Sequence, residues 1–308
     1  AKPRIAVLGS MNMDLVVQCP DLPRPGETIT ASSFTEISGG KGANQAVAAA
    51  RLGGDVSMIG RVGDDAFGRQ LLGNLNREGI DTSLVRATDR CPSGIAIVAV
   101  EQCGENSIIV VPGANGRLDK QDVSLAAERI RASDALLLQL ETPINTALAA
   151  INIAREAGVR VILDPAPAPT FFPPELFAVD VLCPNQSEAS AILGWNIQSV
   201  CDAKDAAAEL NRRGITCAII TLGDRGTVAS ENERPLWFEP VAIKPIDTTA
   251  AGDAFAAAFT IHWVKHELSM EAVRYACAAG AFAASRAGAQ PAMPRREDVL
   301  DLLESEKE

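Results

Sequence analysis

Asp253 closes the run Asp247-Thr-Thr-Ala-Ala-Gly-Asp253, where a short apolar stretch ending near Ile246 meets a long Ala-rich segment. Small residues at Ala250, Ala251 and Gly252 would open a helix there with backbone N–H groups that nothing obstructs. Such a helix start favours an anion, because the unpaired donors and the macrodipole act in the same sense. A carboxylate in that turn is out of place unless it has a task. Beside a phosphate pocket, an acid is what phosphoryl transfer requires: a base for the acceptor hydroxyl, next to donors for the charge on the moving group. The alternative is an ordinary first-turn aspartate that complements the dipole, and this run alone leaves both readings open.

A second cluster of polar groups lies early in the chain: Asn12 and Asp14, then Gly39, Gly40, Lys41 and Asn44. Carboxylates and amides suit hydroxyl-rich ligands, because they hold several O–H groups at once. Taken singly, Gly39-Gly40 reads as a flexible helix start and Asn12 as an Asx-turn. Their combination favours a site. Lys41 does not belong to a P-loop, since Gly42 follows it where Ser or Thr is required. No dinucleotide glycine fingerprint follows the first strand, where Gly9 leads into Ser-Met-Asn-Met-Asp. His262 and His266 are the only histidines, four apart on one expected helix, and read as a helix face and not as a metal site. They leave no Ser-His-Asp or Cys-His arrangement for hydrolysis.

The elements that must position these residues alternate. Strands are expected at 4–9, 56–61, 135–140, 160–163, 179–183 and 217–222. Helices are expected at 39–53, 66–78, 122–131, 145–157, 187–193, 203–213, 252–266, 269–284 and 295–303. This alternation predicts an α/β fold with a mostly parallel central sheet and helices on both faces, a three-layer α/β/α arrangement, in a single domain over 1–308. Two segments, 14–38 and 93–112, are strand-like with no helix between their strands at 15–17, 27–30, 94–100 and 107–111. They predict a small inserted sheet. Ile95, Ile97 and Ala99 point to one face and Ala96, Val98 and Val100 to the other, so both faces should be covered. The reading is a lid over a substrate, with a homodimer through that lid as corollary.

Composition bounds the function classes. Of 308 residues, 47% are hydrophobic and 22% charged, which excludes a disordered chain. A formal charge of -11 repels polyanions, so nucleic acid and anionic membrane are not expected partners. Seven scattered cysteines without a Cys-x-x-Cys pair read as reduced thiols. With no signal-peptide layout at the N-terminus and no apolar run near the ~20 residues of a membrane helix, the expectation is a cytoplasmic protein.

Taken together, these segments closely resemble the ribokinase branch of the PfkB carbohydrate kinases over essentially the full length. The resemblance rests on Gly39-Gly-Lys-Gly-Ala-Asn-Gln-Ala46 and Asp247-Thr-Thr-Ala-Ala-Gly-Asp253. It is supported by Pro25-Gly-Glu27, Gln139-Leu-Glu141, Asp164-Pro-Ala-Pro-Ala168, Pro184-Asn-Gln-Ser-Glu188, Thr221-Leu-Gly223 and Gly288-Ala-Gln-Pro291, in that order. The resemblance implies ATP as phosphoryl donor, Mg²⁺, and a monovalent cation, usually K⁺. It implies that Asn12, Asp14, Gly40, Lys41, Asn44 and Glu141 bind a sugar, and that Asp253 is the base for its primary hydroxyl. An Asp of reference pKa ~3.9 would be ionised at neutral pH. Ala250, Ala251 and Gly252 would supply the N–H pocket for the γ-phosphate. Asn185, Thr221, Gly223, Asp224, Arg225, Gly226 and Gly252 would line the nucleotide. Glu188 would order metal-bound water, although Asn185 and Glu188 also read as a plain helix start. The cation ligands by position would be Asp247, Thr249, Ala283, Arg286, Gly288 and Ala292. Two departures stand out: Ala292 where serine is frequent, and Cys277 where a histidine often lies near the adenine.

Segments 26–40 and 93–112 contain no Lys or Arg, which disfavours a phosphorylated acceptor. Phe34 is the only aromatic residue in them, which disfavours a nucleoside. The expected reaction is ATP plus D-ribose giving ribose 5-phosphate and ADP. A kinase for 2-deoxyribose, fructose, a ketogluconate or a nucleoside, and a non-catalytic sugar-binding regulatory relative, are the alternatives.

Overall fold

Runs such as 5–8, 135–138 and 217–220 are apolar on both faces, which suits strands covered by helices on both sides. The computed structural model describes residues 1–101, 106–267 and 269–305. Its strands are β1 (Arg4–Leu8), β2 (Asn12–Cys19), β3 (Ser33–Gly39), β4 (Asp55–Gly63), β5 (Asp81–Thr88), β6 (Gly94–Glu101), β7 (Asn106–Val111), β8 (Ala135–Leu138), β9 (Arg160–Leu163), β10 (Val181–Leu182), β11 (Cys217–Thr221), β12 (Thr227–Glu231) and β13 (Arg234–Phe238). Its helices are α1 (Lys41–Arg51), α2 (Ala66–Arg77), α3 (Lys120–Arg131), α4 (Ile144–Glu156), α5 (Gln186–Leu193), α6 (Val200–Arg212), α7 (Ala251–His266), α8 (Ser269–Ala284) and α9 (Arg296–Ser305).

Nine strands form the main sheet in the order β13-β12-β11-β10-β9-β8-β1-β4-β5, parallel except where β12 meets its two neighbours. Successive side chains of each strand enter different cores. Ile5, Val7 and Leu137 pack against α1, α2, α7, α8 and α9, whereas Ala6, Leu8 and Leu138 pack against α3, α4, α5 and α6. This is the expected three-layer α/β/α fold. Alanine lets α7 sink between α1 and α8, so that from Asp253 to Ile261 every residue of it is buried.

A second sheet has the order β3-β2-β6-β7. Its register puts Asp14, Ala96 and Val110 side by side, and Ile97, Ile109 and Leu15 likewise on the other face. Sequence placed one of its strands at 27–30. That segment is loop, and the pairing strand is Ser33–Gly39, beyond Pro23, Pro25 and Gly26. Coverage also differs from expectation: Phe34, Ile97, Ile109 and Val111 are exposed, so this chain alone leaves an apolar face open. Residues 102–105 of the expected lid, including Cys103, lie outside the described residues. Three strands of the main sheet were not expected. β5 is a polar edge strand, and β12–β13 is a hairpin turned by Asn232 and Glu233, both at positive φ, without the usual Asn-Gly signal.

Candidate active site

β1 and the start of α1 approach so closely that side chains have no room. A Cβ on Gly42 would lie 2.6 Å from the Gly9 carbonyl carbon, and one on Gly40, whose φ is +88°, would lie 2.6 Å from the Asn12 nitrogen. Close approach, not flexibility, therefore demands these glycines. The contact lays residues 10–14 beside 40–45. Glu141, just past β8, joins them by accepting from the Ser10 hydroxyl and from the Lys41 N–H at 3.3 Å. Asn12 is buried, and its side-chain oxygen accepts from Asn115 Nδ2 at 2.8 Å. Asn115 also bonds both the N–H and the carbonyl of Met11, at 2.9 and 3.0 Å. Burial, then the charges of Glu141 and Asp253, push the Asp14 carboxyl up to about 7.

Asp253 lies in the first turn of α7, 3% exposed. Asn44 Nδ2 donates to its Oδ2 at 2.9 Å and Gln45 Nε2 to its Oδ1 at 3.1 Å. Burial raises its pKa, against Lys41 and these two donors, which act to keep it ionised. The sequence expectation of an acid at its reference pKa therefore does not hold, because burial shifts Asp253 upward. Lys41 faces the opposite balance: burial works against its charge, but Asp253, Asp164, Glu141 and Glu188 outweigh that and hold its pKa above the usual value. Of the three N–H groups expected at the mouth of α7, that of Ala251 is spent on the Thr248 carbonyl at 3.2 Å. Gly252 faces open space, with nothing within 4 Å of where a Cβ would stand, and its N–H meets no acceptor among the described residues.

A cleft of ≈ 950 Å³ runs from this point. Lys41, Asp164, Glu188 and Asp253 line one end, and Asn185, Thr221, Gly223, Asp224, Gly226, Gly252 and Cys277 line the rest. Arg225 does not line it: its guanidinium donates to the Gln198 carbonyl and the Gln186 side chain. Asn185 and Glu188 form a reciprocal capping box at the start of α5, so the helix-start reading of this pair is realised. Only Oε2 of Glu188 is engaged by that cap. A larger cavity, ≈ 1380 Å³, lies beyond the 239–242 loop and contains His262, His266 and Cys277 but none of the acids just described. The convergent charges line the smaller cleft.

Of the six expected cation ligands, Asp247, Thr249 and Gly288 are tied together where residues 246–247 bond the end of α8, beside Ala283 and Arg286. Asp247 accepts from the Thr249 N–H and hydroxyl at 3.0 and 2.6 Å and from the Gly288 N–H at 3.0 Å. The Ala283 carbonyl already accepts from the Arg286 N–H at 3.1 Å. Those of Thr249, Arg286, Gly288 and Ala292 accept no hydrogen bond among the described residues, an all-oxygen set that suits a hard monovalent cation. Among the described residues, no three His, Cys, Asp or Glu side chains gather as metal ligands.

Sequence reading missed several groups that complete the site. Gln45 sits beside Asn44 in the same motif, and Gln139 and Asp164 stand in runs already singled out, so their types were visible though their roles were not. Asn115 gave no signal, because its partner Asn12 is over a hundred residues away.

A sheet sandwiched by helices, with a buried acid and an open helix mouth at one end of a long cleft, defines a phosphoryl-transferring enzyme of small molecules. The chain belongs to the pfkB family of carbohydrate kinases, whose model matches residues 2–296. It is 38% identical to a ribokinase of Haemophilus influenzae, over 97% of this chain and 98% of that protein. It is 33% identical to a deoxyribokinase of Salmonella typhi, again over 97% of this chain and 98% of that protein. The structure of Arabidopsis thaliana ribokinase complexed with ribose and ATP matches it with a TM-score of 0.89 at 34% identity, covering 98% of this chain and 99% of that one. The chain is accordingly an ATP-dependent carbohydrate kinase.

Proposed function

We propose that this kinase transfers the γ-phosphate of ATP to the primary hydroxyl of D-ribose, with Asp253 as base. The observation that carries the reading is the Asp253 carboxylate, held by Asn44 and Gln45 at a helix mouth where Gly252 leaves open space. In this reading Asn12, Asp14, Gly40, Lys41, Asn44 and Glu141 hold the sugar hydroxyls and aim the primary one at Asp253. Asp253 takes its proton as the bond to phosphorus forms; the loose transition state asks little of the nucleophile beyond placement. The Gly252 N–H and its neighbours stabilise charge on the transferring group. The nucleotide lies along Asn185, Thr221, Gly223, Asp224, Gly226 and Cys277, with only the backbone of Arg225 available to it.

Glu188, whose cap engages only Oε2, would hold Mg²⁺ through its water, which suits a cation that retains most of its water. Mg²⁺ supplies neutralising charge on the phosphate oxygens. The open carbonyls of Thr249, Arg286 and Gly288 would hold K⁺, and Ala292 would join them through its carbonyl, for which no serine hydroxyl is needed. The exposed face of Phe34, Ile97, Ile109 and Val111 supports a homodimer through the small sheet.

Ribose is favoured because cationic and stacking groups are scarce around the sugar end, and because a relative similar over nearly its whole length is named a ribokinase. The test is ADP release across D-ribose, 2-deoxyribose, fructose and a nucleoside. D-ribose should give the highest kcat/KM; a clearly higher value for 2-deoxyribose would overturn the sugar assignment and leave the class intact.

A further inference from the structure

Gln45 is fully buried on α1, and its one amide group meets three partners. Its Nε2 lies 2.8 Å from Asp164 Oδ2 and 3.1 Å from Asp253 Oδ1, and its Oε1 accepts from Gln139 Nε2. The orientation of such an amide follows from its partners. An amide oxygen facing the Asp253 base in its carboxylate form would be repelled, and the Gln139 NH₂ on the other side needs an acceptor, so the Gln45 NH₂ faces the two acids, one hydrogen to each. The oxygen then needs a donor, and Gln139 provides it. Gln139 is itself buried, and its own Oε1 finds no partner among the described residues. It is held against Gly9, where a Cβ would collide with that oxygen. A buried amide with half its capacity unsatisfied costs stability, which is tolerable where the other half does something.

The two acids therefore stand within about 6 Å of each other behind the reacting site, tied to one nitrogen. Resting on the assignment of Asp253 as base, we propose that Gln45, oriented by Gln139, is a positioning residue: its forked amide fixes the Asp253 carboxylate toward the attacking hydroxyl and holds Asp164 apart from it. Neither glutamine touches the reacting atoms in this account. Asn44 restrains only Oδ2 of Asp253, and one hydrogen bond leaves the carboxylate free to rotate about it. The second bond, to Oδ1, removes that freedom. Burial, then Asp253 and Glu188 against Lys41, raise Asp164 to about 8. The fork thus holds apart two buried acids whose pKa values burial raises, with Lys41 on α1, Glu188 on α5 and the Cys183 thiol as the other ionisable groups facing Asp164.

The experiment compares Gln45→Leu, Gln139→Leu, the double variant and Gln45→Glu. Gln45→Leu should lower kcat about 10- to 100-fold while KM for sugar and for ATP stay within a few-fold of wild type. Gln139→Leu should lower kcat less, and adding it to Gln45→Leu should cost nothing more, because the relay is already cut. Gln45→Glu preserves length and shape, so it guards against a folding failure. It presents a third carboxyl group to Asp253, so its relative activity should recover as pH falls from about 8 to 6, the reverse of the wild-type acid limb. Wild-type kcat in Gln45→Leu, or strictly multiplicative losses in the double variant, would overturn the inference. Should Asp253→Asn keep full turnover, the underlying base assignment fails instead, and the two failures are told apart.

Discussion

At the scale of single residues, the site gathers carboxyl groups that are buried, as Asp164 and Asp253 are, or half-buried, as Asp14 is, and gives each a different set of partners. Asp253 has two amide donors and the Lys41 ammonium; Asp164 shares that ammonium but has only the one shared amide; Asp14 has neither cation nor donor of comparable strength. The consequence is testable at Asp14. Its pKa near 7 means that it is half protonated in the empty protein at neutral pH. A sugar hydroxyl donates best to the ionised form, so sugar binding should lower that pKa and expel protons. Calorimetric titration at pH 7 in two buffers of different ionisation enthalpy should show net proton release, absent in Asp14→Asn. The sugar KM should rise as pH falls below 7. Buffer-independent heats would show that Asp14 does not change protonation on binding.

At the scale of elements, α1 is the member on which the site depends, because Lys41, Asn44 and Gln45 all project from its first two turns. Its position is set by Gly42 against Gly9. Gly42→Ala should cost about 1–3 kcal/mol of stability through overpacking, and should lower kcat by more than that loss explains, since the helix start must back away from β1. Thermal melts together with kcat test this; a variant of wild-type activity would show that α1 has slack. The glycine run was legible in the sequence as a motif, but its reason was not, because close approach involves Gly9 more than thirty residues earlier. The same limit applies to Gln45 and Gln139, whose types were visible and whose meeting depends on the packing of α1 beneath the end of β8. The parallel core was legible because strands apolar on both faces carry their own signal. The β12–β13 hairpin was not, since Asn232-Glu233 adopts positive φ without glycine. The strand at 33–39 was misplaced to 27–30 because Thr and Ile there look β-like while the pairing partner, β2, decides the register.

At the scale of the whole molecule, an apolar sheet face left open by one chain and a cleft walled by two α/β layers have to be reconciled with an acidic surface. Phe34, Ile97, Ile109 and Val111 form the exposed patch most at odds with that surface. Replacing Ile109 with Asp should shift the molecular mass by light scattering from dimer to monomer; an unchanged mass would remove the small sheet as the interface. The cleft itself is oriented by the sheet, whose β1, β8 and β9 ends bring Ser10, Glu141 and Asp164 to the same place as the mouth of α7. Everything argued about catalysis requires that Asp253 be the base at that mouth. The direct measurement pairs turnover with sugar binding in Asp253→Asn. The account predicts a loss of kcat of about a hundredfold or more with sugar affinity within a few-fold of wild type. Turnover near the wild-type rate in that variant would contradict it.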